Sequence, residues 1–460
     1  MSESASSPPS YFSPLVELEV DEAQYFNSAS DLPTYTRQPG LSASPRILQT
    51  REFSYNLKKK GKPWAVLTIF GNSALSDTTP VVLEGSSLNG TVNLLLGSGD
   101  PIQAVVVSVK GQIITGASPG DQYTFLDIAT NLWSQSLGDP RNPSSVPSDI
   151  KFTDKLRGDY CWPFSIPLPR EVVLCVGAQN ESQTFHLPQT FVERHTRASI
   201  QYEVILHLSR SKLRTDHRIQ VTFGYIPVTR PGPASPLRQL AYQENTPLWG
   251  PDEDPEGWHT LPSADIRGRI FGRRPVDGKC TLSLAKPLCY TRGSVIPCSI
   301  VIETSDEQAL HLLSSPKAIV LRLRRSVKCH PDHEHFTESA IPWKDEIDLS
   351  QLAAWWPSPA NNSRAIPNSR RLNGELHLLP DTKPTSAMAH FSIEYTIVLF
   401  PFDVVTFEPA SSQPLCMLGV EIATSYGPGP RPRTYAPPGY EEYSTSVTSQ
   451  SFHVPDTFLA

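Results

Sequence analysis

No stretch of this 460-residue chain stays apolar for long. Its hydrophobic runs last about 4–9 residues, against the ~18–20 that carry a helix across a bilayer. The first twenty residues have neither a positively charged start nor a continuous apolar core, so no secretory signal is expected and the predicted location is cytoplasmic. Charge is sparse: Asp, Glu, Lys and Arg make up 19% of the chain, below the roughly 25% of an average soluble protein. The net charge of −6 is spread along the sequence without a basic arm, which argues against nucleic acid as a partner. Cysteine is scarce, odd in number at seven, and never arranged as Cys-x-x-Cys. That excludes a disulfide framework and predicts free thiols in a reducing compartment. Helical periodicity is nearly absent; the apolar spacing from Phe125 to Leu137 predicts one short helix or a loop insertion ahead of the proline-bearing stretch 140–147.

Two fragments have the look of chemistry and fail its requirements. Gly116-Ala117-Ser118-Pro119-Gly120 fits the G-x-S-x-G elbow of hydrolases. The residue after the serine must supply a backbone N–H to the oxyanion hole, and proline has none. Cys329, His330, Asp332, His333 and His335 cluster without the second, distant ligand pair of a structural zinc site. The first is read as a turn and the second as a solvated loop. No catalytic residue, metal site or cofactor is expected.

What the sequence does contain is short strands. Runs such as 64–70, 88–94, 102–109, 199–208 and 218–225 are seven to ten residues long, rich in β-branched and aromatic residues, and mostly bounded by Gly, Pro, Asn or Asp. Pro163, Pro167 and Pro169, which fall on one alternate set of positions, place that segment at a sheet edge or outside a sheet. The fold class predicted is all-β, with sandwiches rather than βαβ units.

The strand series occurs twice. Gly85, Leu88, Val92 and Leu94 line up with Gly293, Ile296, Ile300 and Ile302. Residues 104–109 match 318–323, and Ser199, Ile200, Tyr202 and Leu206 match Ser392, Ile393, Tyr395 and Leu399, in the same order. A period near 200 residues means two similar domains rather than a solenoid. The expected organisation is a disordered tail over 1–45, a first domain over 46–228 and a proline-rich linker or long loop over 229–270. A second domain follows over 271–425 with a polar insert at 330–384, and then a disordered tail over 426–460.

The residues that repeat also carry a resemblance. Gly85-x-x-Leu88-x-Gly90-x-Val92 is followed by Val105 to Val109 and Gly111. Further on come Trp162-Pro163-Phe164-Ser165-Ile166-Pro167-Leu168-Pro169, then Leu187-Pro188-Gln189-Thr190-Phe191, then Ile200-x-Tyr202-x-Val204. In the second half, Tyr290-Thr291-Arg292-Gly293-x-x-Ile296 resembles the opening of a C-domain. Over residues 50–228 and 271–425 the chain resembles arrestin-like proteins, in particular the fungal α-arrestins (arrestin-related trafficking adaptors). The resemblance implies two consecutive immunoglobulin-like β-sandwiches of the arrestin fold, no cofactor, and an adaptor role. In that role the body recognises cytosolic segments of membrane transporters or receptors, and the tails recruit a HECT-type ubiquitin ligase at the plasma membrane or endosomes. The alternative is an arrestin-fold signalling or endosomal scaffold that recruits no ligase.

The tails hold peptides suited to that task. Pro8-Pro9-Ser10-Tyr11 and Pro437-Pro438-Gly439-Tyr440 both read Pro-Pro-x-Tyr, with a weaker variant at Pro33-Thr34-Tyr35. Paired prolines favour polyproline II, so the free peptide resembles its bound form; a WW domain takes the proline rings in an aromatic groove and the tyrosine in a second pocket. At the chain's own proline and tyrosine frequencies, about 0.14 such matches arise by chance. Two basic features are candidate cargo or lipid contacts for peripheral membrane association: Lys58, Lys59, Lys60 and Lys62 in a hairpin turn, and Arg322 and Arg324 opposite the leucines of a strand.

Overall fold

The computed structural model describes residues 50–72, 76, 78–116, 121–141, 151–176, 181–193, 196, 198–211, 214–329, 344–358 and 368–438. Strand β1 (Thr50–Lys59) returns as β2 (Lys62–Asn72) through Lys60 and Gly61, both at positive φ, 51° and 78°. That left-handed pair is what a two-residue hairpin turn of the favoured hand demands. Next come β3 (Val81–Leu83), β4 (Ser87–Asp100), β5 (Ile102–Ile114), β6 (Gln122–Ser134) and β7 (Leu156–Pro167). A two-stranded ribbon, β8 (Glu171–Val176) and β9 (Glu181–His186), precedes β10 (Ser199–Arg210) and β11 (His217–Ile226). One sheet has the order β1-β2-β4-β7 and the other β3-β11-β10-β5-β6. Alternate residues are buried on each: Leu67, Leu88 and Val92 from one, Val107, Tyr202 and Val204 from the other, all at 0% exposure. Burying each such side chain contributes about 1.5–3 kcal/mol. Pro163 and Pro167 sit on β7, at the edge of its sheet, where a missing N–H breaks no ladder.

The second half opens with helix α1 (Pro236–Glu244), followed by β12 (Trp258–Thr260), β13 (Ala264–Ile270), β14 (Arg274–Ala285), β15 (Cys289–Thr291) and β16 (Val295–Thr304). Helix α2 (Glu307–Leu313) leads to β17 (Leu321–Cys329), β18 (Lys344–Leu352), β19 (Ala354–Pro357) and β20 (Ser369–His377). The series ends with β21 (Ser386–Met388), β22 (Phe391–Leu399), β23 (Phe407–Pro409) and β24 (Cys416–Ala423). The sheets run β19-β20-β16-β14-β13-β23, with β12 beside β14, and β15-β24-β22-β17-β18, with β21 beside β22.

These orders are one pattern written twice. The path β3-β11-β10-β5-β6 becomes β15-β24-β22-β17-β18, and β1-β2-β4-β7 becomes β13-β14-β16-β20. Register agrees residue by residue. Tyr202 faces Phe223 as Tyr395 faces Val420, and Val109 faces Val204 as Leu323 faces Ile397. The short strands β3 and β15 each join their sheet in parallel, and each turns out through a glycine at positive φ, Gly85 (80°) and Gly293 (74°). The Tyr202 hydroxyl donates to the Pro188 carbonyl at 2.7 Å, and the Tyr395 hydroxyl to the Lys383 carbonyl at 2.6 Å. Thr190 and Thr385 each accept, on their hydroxyl oxygen, the backbone N–H of Tyr225 and of Ile422. The repeat read from the sequence therefore falls on topologically equivalent strands.

Several expectations need correction. Residues 122–134 form strand β6, not a helix, and 135–137 add one 3₁₀ turn. Bulges opposite Val105/Val106 and Gly111/Gln112 turn Phe125 and Leu126 inward together and skip Leu132 before Trp133. The resulting spacing imitates a helical face. The segment 229–270 is not a bare linker. Ser235 caps α1 by accepting the Arg238 N–H, Pro236 starts the helix, and β12 and β13 belong to the second half's first sheet. The polar stretch 330–384 supplies β18, β19 and β20, which are ladder strands; only 330–343 and 359–367 lie outside the described residues. Residues 426–438 are not a free tail: they pack on the body, tied to β20 through the backbone of Tyr435 and Ala436.

The expected N-terminal tail, with Pro8, Pro9, Tyr11, Pro33 and Tyr35, lies outside the described residues, as does Tyr440. Residues 117–120, the core of the Gly-x-Ser-x-Gly match, are also outside them. None of the seven cysteines forms a disulfide. No helix among the described residues is long and apolar enough to cross a membrane.

Candidate functional site

The C-terminal motif emerges from a built surface. Arg238, buried in α1, donates to the carbonyls of Lys286 and Gly257, and its guanidinium lies 5.1 Å from the Trp258 ring. These bonds fix the helix against β12 and the end of β14, and Asn245 closes it in the left-handed conformation. The fixed helix presents Tyr242 and the carbonyl of Ala241. Beside it, Glu375 on β20 points to the side opposite Leu372 and Leu376, yet it is only 1% exposed.

A strap of residues 426–438 covers both. The Glu375 carboxylate accepts the backbone N–H of Tyr435 at 2.7 Å and of Ala436 at 3.3 Å. Such charge-assisted bonds are about twice as strong as neutral ones. The Tyr435 ring stacks on Tyr242 with centroids 6.3 Å apart and planes 15° from parallel, and its hydroxyl donates to the Ala241 carbonyl at 3.2 Å. Burial raises the pKa of both phenols above 10.0. Upstream, Arg433 donates to the Asn245 side chain at 3.3 Å. Pro437 is half-buried and Pro438 exposed, so the motif begins one residue past the tethered Ala436.

The basic hairpin occupies the β1–β2 turn. Lys58, Lys59, Lys60 and Lys62 are all exposed and make no ion pair among the described residues. Behind them, Trp64 is flanked by the Arg210 guanidinium at 5.3 Å and the His217 ring at 5.1 Å. Arg210 is tied to Asp100 at 2.8 Å. Burial, with help from Arg210 and Lys59, lowers the His217 pKa below 6.5.

Arg322 and Arg324 lie opposite Leu321 and Leu323 as the alternation predicts, but both are half-buried. Arg322 donates to the Leu349 carbonyl at 2.9 Å, and burial lowers its pKa. Their neighbour Arg325 reaches the first half instead, gripping Glu193 through two 2.9 Å hydrogen bonds. Around this pair, Arg292 donates to Gln189 at 3.0 Å, and the rings of Phe191 and Phe391 meet at 5.3 Å. The structure thus separates the two basic features: the hairpin is an open cationic tip, whereas on β17 Arg322 and Arg325 are engaged and Arg324 is half-buried.

Sequence reasoning missed Glu375, Tyr242, Tyr435 and the Arg325–Glu193 pair. An outward-facing glutamate on a strand reads as solvated, and nothing local says that a strap more than fifty residues later covers it. Tyr435, directly ahead of Ala436 and the prolines, was the one visible signal. The chain matches no family model, and no curated protein matches it.

Proposed function

We propose that this protein is an arrestin-related adaptor that brings a WW-domain HECT ubiquitin ligase to membrane-protein cargo for ubiquitination and endocytosis. The observation that carries the reading is the pair of Pro-Pro-x-Tyr peptides, Pro8 to Tyr11 and Pro437 to Tyr440, one near each end of the chain. The twice-written strand pattern supports the arrestin-like body that the sequence motifs suggest. In this reading the body is a binding module and carries no catalysis. The exposed lysine hairpin offers a cationic contact for an acidic cargo tail or an anionic leaflet. Two ligase-binding peptides on one molecule raise avidity through effective concentration.

Substituting Tyr11→Ala together with Tyr440→Ala abolishes capture by HECT-ligase WW domains and stops cargo ubiquitination. Unchanged capture removes the ligase reading. Lost capture with cargo ubiquitination intact favours the scaffold alternative.

A further inference from the structure

Resting on the ligase reading, we infer that the C-terminal Pro-Pro-x-Tyr peptide is a latent site: the body holds its leading edge in an internal peptide-binding groove, and a WW domain engages it only after the strap peels away. The groove is made by Glu375, Tyr242 and the Ala241 carbonyl. It recognises the strap chiefly through backbone, since one carboxylate takes two consecutive N–H groups, of Tyr435 and Ala436. The aromatic stack and the phenol hydrogen bond add side-chain register at Tyr435. Ala436 is 9% exposed and Pro437 half-buried. A WW groove clamps proline rings between aromatic side chains, and Pro437 is half-buried directly after the tethered Ala436. A module closing around Pro437 meets the body that holds its neighbour, and the two modes of binding compete.

Glu375 supports this assignment by its position. It lies on the outward side of β20, where a carboxylate would otherwise be solvated; the strap covers it and supplies N–H donors in place of water, with the His377 ring 3.6 Å away on the same face. The strap is thus ordered by contacts a few residues long, and the motif starts within one residue of them. A competent state populated to a fraction f weakens apparent affinity by 1/f. Cargo binding or modification that loosens the strap would raise ligase affinity without altering the motif itself.

The test compares a free peptide spanning 430–446 with the full chain carrying Tyr11→Ala and Tyr35→Ala, which leaves only the C-terminal motif. Each is titrated with the same isolated WW module. The peptide binds at least about ten-fold more tightly than the chain, and Glu375→Ala in the chain closes the gap. Because Glu375→Ala alters a strand, Tyr435→Ala is run in both chain and peptide; it touches only the strap and also brings the two affinities together. Hydrogen exchange supplies a second readout: the Tyr435 and Ala436 amides are protected in the free chain and lose protection when the WW module saturates. Equal affinity of chain and peptide, or amides that stay protected in the complex, overturns the inference alone. A peptide that fails to bind any WW module overturns the ligase reading and this inference together.

Discussion

Tyr202 and Tyr395 stand at equivalent points of the two halves and do the same work. Each ring is buried in its sheet, and each hydroxyl ties the strand to the loop that precedes it, at Pro188 and at Lys383. Replacing Tyr202 by Phe keeps the ring and leaves the Pro188 carbonyl without its donor. The expected loss is about 1–3 kcal/mol, read as a lower denaturation midpoint with an unchanged slope. Glu193 and Arg325, whose side chains are 26% and 23% exposed, join the halves through a bidentate contact. A double-mutant cycle with Glu193→Gln and Arg325→Met should give a coupling above the ~1 kcal/mol reached by exposed pairs. His217 adds a pH dependence. Its folded pKa lies below 6.5, so as pH falls through 6.5 the unfolded chain takes up the proton first and stability declines until the folded imidazole also titrates. His217→Asn should flatten the stability profile in that window, and an unchanged profile would contradict the assignment.

Elements show how far the sequence could be followed. β4 was legible because Leu88, Val92 and Leu94 fall on one parity and are fully buried, and β16 because Ile296, Ile300 and Ile302 line up with them and are buried as completely. Strands with interrupted alternation were not. Bulges disguised β6 as a helix, and β20 carries Asn373, Gly374 and Glu375 in its middle, which reads as insert. The strap was illegible for a different reason: it is held by partners far away in sequence, and its composition is that of a tail. The lysine hairpin, by contrast, was legible in full, since a Lys-Gly pair at positive φ makes the turn that leaves its neighbours in solvent. Replacing Lys58, Lys59, Lys60 and Lys62 by Gln should weaken binding to vesicles containing phosphatidylserine by about 1 kcal/mol per lysine, and the difference should shrink as salt rises. Binding that is independent of both charge and salt would remove the hairpin from the membrane or cargo contact.

At the scale of the molecule, one strand pattern has been used twice, and the two copies are stitched by Glu193–Arg325, Gln189–Arg292 and the Phe191–Phe391 contact. The last described residues then return across α1 and β20 and pack against the chain's own second half. In the proposed reading, that architecture is the body that holds and presents the sequence motifs at both ends. Calorimetric titration of the intact chain with an isolated WW module tests this most directly. In a chain carrying Tyr35→Ala, the account predicts two modules bound at saturation, one after Tyr11→Ala, and none once Tyr440→Ala is added. Absent binding in the intact chain, or binding that survives the paired substitution undiminished, would contradict it.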